Sequence, residues 1–463
     1  MFWLLILIFI ILSLMFLNLI NQKDFITPTF LGLLSFLLAS ILILLNYNTW
    51  KVEINPNFVF IVILAVLSLI FGSYLIRLTR PKLAFITEKY HKKNSKITNI
   101  NSKLINKYPT TIIFILSIIL FILFAVLLIK EVGGLGGAGF SSFLRKIYES
   151  KFATEGGHFV FHQVEKILIA IAYINYFHLL NLIFFYKKKK DKNKKLLLTI
   201  IPILLTFVCI ILSTDRNIIL RYFIYALALW ILFFQRSPRR TLRKSNRIIL
   251  FSTAIIVIIM VLAFYALGKM KQYTSNLERM IGIYGGSGLY NFNLYVTDFD
   301  GINTYGLATF KSFLNVFTSF GLLDSKILIE EPGFITYAGN NGYVYSSNIY
   351  SSLQPFYQDF GLIGIFMFIA FIGFFLEYFY QKTYKHKYGF MWMFYSAFVY
   401  PTVFLSIADQ FYARLHLGIV YELFWLVVFY YFTYGRWQIK YKKAMKRKKA
   451  MLKTEVIAWK ELF

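Results

Sequence analysis

The chain has 463 residues, 58% of them hydrophobic, with a mean hydropathy of +0.62 and a formal net charge of +29. Soluble domains are about 45–50% apolar, so this composition excludes a soluble globular protein. The lysines stand in short blocks between apolar runs, a membrane-topology pattern, so no nucleic-acid partner is expected.

A helix needs about 20 apolar residues to cross the hydrocarbon core, and lipid tolerates only helices or closed barrels. Suitable runs lie at 2–20, 29–46, 57–76, 111–129, 165–186, 196–212, 217–234, 248–267, 361–380, 390–407 and 416–434. The expected fold is an all-α polytopic membrane protein of about eleven spans in one domain, 1–463. The first run has no basic start, is long for a signal peptide and precedes no A-x-A site, so it is expected to remain as a span. Lysine and arginine collect at 77–110, 187–195 (KKKKDKNKK), 235–247, 381–389 and from Arg436 onward, with Lys23 in the first link. Eleven spans put all of these on one side, the cytoplasm by the positive-inside rule. The N-terminus is then outside, and 435–463 is a basic cytoplasmic tail. These segments are assigned to topology and to contact with anionic membrane lipids.

The segments on the other side include 47–56, 130–164, 213–216, 268–360 and 408–415. Segment 130–164 opens on the glycine-rich GGLGGAG. Then Phe140, Phe143, Leu144, Ile147 and Tyr148 follow the spacing of an amphipathic helix, which either lies on the membrane face or packs on the bundle. Segment 268–360 is by far the longest, a large outer loop within the domain. It carries Arg279, Gly282, Gly285, Gly286, Gly288, Asp298, Asp300, Glu330 and Glu331, and ends in SSNIYSSLQPFYQDFG. Its many aromatic residues suit either a small packed cap or a groove for sugar rings.

Three arginines are expected at the outer ends of spans: Arg216 in STDRN, Arg279 in NLERMIG and Arg414 in ADQFYARLH. Arg221 lies inside the seventh span, where an arginine is costly and usually faces a cavity or partner. Asn217 shares its helical face. Guanidinium forks suit pyrophosphate through paired, charge-assisted bonds. The bland alternative pairs Arg216 with Asp215, Arg279 with Glu278 and Arg414 with Asp409, whereas Arg221 has no acid nearby in sequence. The D-x-D of Asp298 and Asp300 reads as a turn before Gly301. His158 and His162 stand one helical turn apart and, without a third ligand, suit hydrogen bonding or general-base work better than a metal. His416, beside Arg414, has the same standing. The single cysteine, Cys209, permits neither an intrachain disulfide nor a cysteine metal site.

A polar STDRN link before a span, a long outer loop, and SNIYSSLQPFYQDFGLIG before a late span together resemble the O-antigen polymerase (oligosaccharide repeat-unit polymerase) family. Arg216 fills the family's [ST]-x-R position. Asn348, Tyr350, Tyr357, Asp359, Phe360, Gly361 and Gly364 fill its N-x-Y…Y-x-D-[FY]-G-x-x-G run. The resemblance implies a bacterial cytoplasmic-membrane glycosyltransferase that joins undecaprenyl-pyrophosphate-linked oligosaccharide units without cofactor or metal. Arg216 would then be catalytic by its motif position, and Arg279 and Arg414 join it by position and charge rather than by motif. Asn348, Tyr350, Tyr357 and Asp359, at motif positions, are assigned to substrate binding, as are Arg221, Asn217, His158 and His416 from their placement in the chain, and a polysaccharide chain-length regulator is a potential partner. The alternatives are an O-antigen ligase and a flippase for lipid-linked oligosaccharides.

Overall fold

The computed structural model describes residues 1–22, 24–79, 105–131, 142–143, 146–147, 159–186, 191–214, 216–236, 242–270, 276–299, 301, 304–324, 335–338, 344–385, 389–413 and 417–440. Eight helices come first: α1 (Phe2–Gln22), α2 (Pro28–Leu45), α3 (Pro56–Leu78), α4 (Thr110–Glu131), α5 (Phe159–Phe185), α6 (Lys192–Leu212), α7 (Arg216–Arg236) and α8 (Leu242–Met270). Then come α9 (Leu277–Gly282), a π-turn (Ile283–Ser287), α10 (Gly288–Thr297) and α11 (Lys311–Ser319). A short antiparallel hairpin, β1 (Ile335–Ala338) and β2 (Val344–Ser347), pairs Ile335 with Ser347. The chain continues as α12 (Leu353–Lys385), α13 (Phe390–Phe398), α14 (Tyr400–Val403) and α15 (Leu417–Tyr430), which runs into a second π-turn.

Nine helices among the described residues, α1–α7, α12 and α15, are long and apolar enough to cross a membrane. The chain is therefore a helical, multi-pass membrane protein. Eleven spans were expected, and two differ. Helix α8 is continuous, but its described apolar stretch, Phe251–Ala266, is shorter than the rest. The run 390–407 is broken. Pro401 cannot donate to the preceding turn, and its ring crowds that turn. The helix ends at Phe398, restarts briefly as α14 and gives way to turns. Several of the freed groups find partners, as burial demands. Ile407 N donates to Phe404 O (2.8 Å), Ser406 N to Ser35 Oγ (3.2 Å), and Ser352 N to Leu405 O (3.1 Å).

Local sequence accounts for the starts of two spans. Thr27 and Asn55 cap α2 and α3, accepting from Phe30 N (3.2 Å) and Asn57 N (2.9 Å), each followed by a proline in the first turn. Helices α3 and α12 meet backbone to backbone. A Cβ on Gly72 would lie 1.8 Å from Ala370 O, so only glycine allows this approach. Helix α12 kinks at Gly361, whose φ of 58° suits glycine.

Three apolar clusters form among the described residues, two of them large. One joins α1, α2, α3, α10 and α12 around Phe36, Phe58, Phe292 and Phe356. The other joins α5, α7, α13 and α15 around Phe177, Tyr225, Phe233 and Trp392. The broken segment bridges them: Phe404 belongs to the second core and Leu405 to the first.

The bundle has two distinct ends. At one, the Met1 amino group donates to Tyr47 Oη (2.9 Å), and Trp50 stacks on Tyr290. Arg216 and α9–α10 lie there too, and we call it the loop end. At the other, the basic end, Arg77 forks onto Glu377 (3.0 and 3.1 Å), Tyr380 donates to Asp24, and Lys107 lies over Trp437.

The segment 268–360 is not a free loop throughout. Tyr290, Asn291, Phe292 and Asn293 are buried, and Asn293 bridges to Asn55 N (2.9 Å) and Glu53 O (2.7 Å). In the earlier segment, Ile147 is buried and Phe143 packs with it beside Phe124, Leu168 and Cys209, so these two residues join the bundle. Phe140, Leu144 and Tyr148 lie outside the described residues.

Candidate functional site

The site begins at the link between α6 and α7. Thr214 has a φ of 57°, uncommon for a β-branched residue, and turns the chain sharply before α7. Arg216 opens that helix. Its Nη1 donates to Tyr284 Oη (2.7 Å), and the guanidinium lies 5.1 Å from the Phe264 ring centroid and 5.5 Å from that of Tyr284. The two rings pack edge-to-face on each other, 4.8 Å between centroids, and both lie within cation–π range of the guanidinium. Tyr284 belongs to the π-turn, a helical irregularity frequent at functional sites.

The same π-turn holds the second motif. Ser287 and Ser347 share a hydroxyl–hydroxyl bond of 2.8 Å. Gly288 O accepts from Ser351 N (3.0 Å), and Asn291 Nδ2 donates to Ile349 O (2.8 Å). A Cβ on Gly288 would lie 2.6 Å from Ile407 O, which ties the broken span into this junction. Asn348 is exposed and Tyr350 half-buried. Burial pushes the Tyr350 phenol up, so it remains a neutral hydroxyl at pH 7. Tyr357 packs against Phe299 (4.5 Å between centroids) and Phe292 (6.0 Å).

Asp359 is fully buried and holds the turn 304–309. It accepts from Thr309 N (2.6 Å), Ala308 N (3.3 Å) and the Thr304 hydroxyl. These bonds anchor the start of α12 to the turn.

Deeper in the bundle, Arg221 has an acid that its sequence neighbours do not reveal. Its Nη1 lies 3.4 Å from Glu422 Oε2 on α15, and its guanidinium faces the Tyr400 ring at 5.6 Å. The two charged side chains are 14% and 7% exposed. Asn217 lies one turn nearer the loop end of the same helix and is exposed. Lys166 on α5 lies within electrostatic reach of Glu422, Glu165 and Arg221. Glu165 is 1% exposed, and its Oε2 lies 3.3 Å from His162 Nδ1. Sequence reasoning passed over Glu165, Lys166, Glu422, Tyr284 and Tyr400. Ionisable residues inside apolar runs are a signal for the first three. Nothing local marks the two tyrosines.

Arg279 lies on α9, five residues before Tyr284. Arg414, His416 and His158 fall outside the described residues, as do Asp215 and Asp300. Asp409 accepts from the backbone of Phe411, Tyr412 and Ala413 (2.9, 3.1 and 2.9 Å), shaping the turn that leads toward Arg414. Burial first, and the Asp409 charge second, push the Tyr412 phenol up. No group of three or more potential metal ligands occurs among the described residues.

Comparison with protein-family models, with curated proteins and with solved structures gives no match. Chemically, the loop end offers a guanidinium in an aromatic cradle beside hydroxyl and amide groups. Further along the same helix, toward the basic end, lies a charged cluster shared by three helices.

Proposed function

We propose that the protein polymerises undecaprenyl-pyrophosphate-linked oligosaccharide repeat units on the outer face of a bacterial cytoplasmic membrane. The carrying observation is the π-turn. Its Tyr284 holds Arg216, while Ser287 and the adjoining Gly288 hold the run 347–351. Two motifs far apart in sequence therefore share one short element at one end of the bundle. In this reading the loop end faces outward and the basic end faces the cytoplasm, as the positive-inside rule requires.

The chemistry needs a stabilised leaving group. The donor's bond from anomeric carbon to phosphate breaks, and negative charge builds on the departing undecaprenyl pyrophosphate. Arg216, with Arg279 and Arg414, would meet that charge with forked hydrogen bonds. The rings of Phe264 and Tyr284 keep the Arg216 guanidinium in place before substrate arrives. Asn217, Asn348, Tyr350 and Tyr357 supply amide, hydroxyl and ring surfaces of the kind that bind sugars. Asp359 contributes by fixing the approach to α12.

The test is a deletion strain and its complementation with Arg216→Ala. Both should lose the long polysaccharide ladder and retain single repeat units on lipid or on their final acceptor. Long polymer retained on the undecaprenyl carrier would instead indicate a ligase. Units trapped on the inner leaflet would indicate a flippase, and an unchanged profile would reject the glycan reading.

A further inference from the structure

The α5 residues near the loop end combine an imidazole and a buried carboxylate. His162 is 38% exposed, Glu165 is 1% exposed, and they meet at 3.3 Å through Nδ1 and Oε2. The pair belongs to no motif of the resemblance. Two buried acceptors beside it, Glu165 Oε1 and Gln163 Oε1, have no hydrogen-bond partner among the described residues. A buried oxygen acceptor left unpaired is unfavourable. Lys166 follows directly and reaches the charges of Glu422 and Arg221 electrostatically. The pair is thus continuous with the charged cluster on α7, the helix that begins at Arg216. Glu165 also lies within electrostatic reach of Cys209 on α6.

We propose that His162 is the general base that activates the acceptor hydroxyl, with Glu165 as its positioning residue. This rests on the glycan-polymerising reading and names the proton acceptor within it. The carboxylate holds Nδ1 as the donor nitrogen, which makes Nε2 the basic one. Nε2 takes the proton of a hydroxyl on the non-reducing sugar of the incoming lipid-linked unit. That oxygen bonds to the anomeric carbon of the growing chain as the bond from that carbon to the phosphate oxygen breaks. The electron pair leaves with undecaprenyl pyrophosphate, against Arg216. The imidazolium then returns its proton to water. The arrangement follows the logic of carboxylate–imidazole pairs in acyl transfer, in which the acid fixes tautomer and direction.

The test uses the full-length protein in phosphatidylethanolamine–phosphatidylglycerol vesicles, with lipid-linked units extracted from the deletion strain as substrate. Variants are compared at equal, monodisperse protein. His162→Ala should lower kcat at least about 100-fold with KM for the lipid-linked unit little changed, and added imidazole should restore part of the rate. Glu165→Gln should lower kcat about 10-fold or more, and Glu165→Asp should recover much of it. Wild-type kcat in His162→Ala, with Arg216→Ala inactive, would overturn the base assignment and leave the polymerase reading standing. Failure of the wild-type protein to extend these units would remove the polymerase reading, and the role of His162 with it.

Discussion

At the residue scale, Arg216 depends on direction as well as charge. A lysine there keeps the charge but loses the planar fork and much of the ring stacking. Arg216→Lys should therefore lower kcat at least about 10-fold, or about 1.4 kcal/mol, in the vesicle assay. Tyr284→Phe keeps the ring beside the guanidinium and removes one hydrogen bond of 2.7 Å. A net loss of about 0.5–1.5 kcal/mol corresponds to a rate roughly 2- to 10-fold lower. The Arg221–Glu422 pair makes a stability prediction. Arg221→Leu alone strands a buried carboxylate and should cost roughly 3–5 kcal/mol, whereas Arg221→Leu with Glu422→Leu should recover most of that. Thermal unfolding in detergent compares the three proteins, and equal losses in the single and double variants would deny the coupling. Arg216 and Asn217 stand out in the sequence as polar residues at a span end, and Arg221 as an arginine inside a span. Glu422 was not recognised as the partner of Arg221, since 201 residues separate them and only the assembled bundle joins them.

At the scale of elements, hydropathy located the helical runs but not their interruptions. Segment 390–407 is apolar enough to suggest a span, and Pro401 was the available sign that it is not a single helix. The burial of 277–297 was harder to read. GLYNFNLYV mixes asparagine with aromatics: Asn293 bonds the backbone of the α2–α3 link through both ends of its amide, and Asn291 Nδ2 donates to Ile349 O. A polar residue with such partners can be buried without looking apolar in sequence. The contact between α3 and α12 gives the sharpest test of an element. Gly72→Ala places a methyl group where Ala370 O already sits. The overpacked pair should lose about 1–3 kcal/mol or more, visible as a lower Tm. Gly72→Ala with wild-type Tm would show that these backbones do not touch.

At the scale of the molecule, the alternation of basic and non-basic segments foretold which residues share an end, and the contacts at Tyr47, Arg77 and Arg216 agree with it. Charge is a long-range signal that survives errors in individual boundaries, and this made the sharing of ends more legible than the span count. Cys209 is buried, so exposed positions can be probed after Cys209→Ser. In intact cells, an impermeant thiol reagent should label Tyr305→Cys at the loop end and spare Asp191→Cys at the basic end. The reverse pattern would invert the proposed orientation.

The broken span also sets an order of construction. Ser406 Oγ meets Ser35 Oγ at 2.8 Å across 371 residues, and Leu405 O receives both Ser351 and Ser352. At about 5–20 residues per second, Ser35 leaves the ribosome roughly 20–75 s before its partner. Until then the first core lacks Leu405, and the junction of α2, α10 and α12 stays unsealed. A late part of the chain, followed among the described spans by α15, is therefore the one that locks the earliest helices together. A chain truncated before residue 404 leaves that junction open, and membrane quality control should remove it even though most of its spans are already in place.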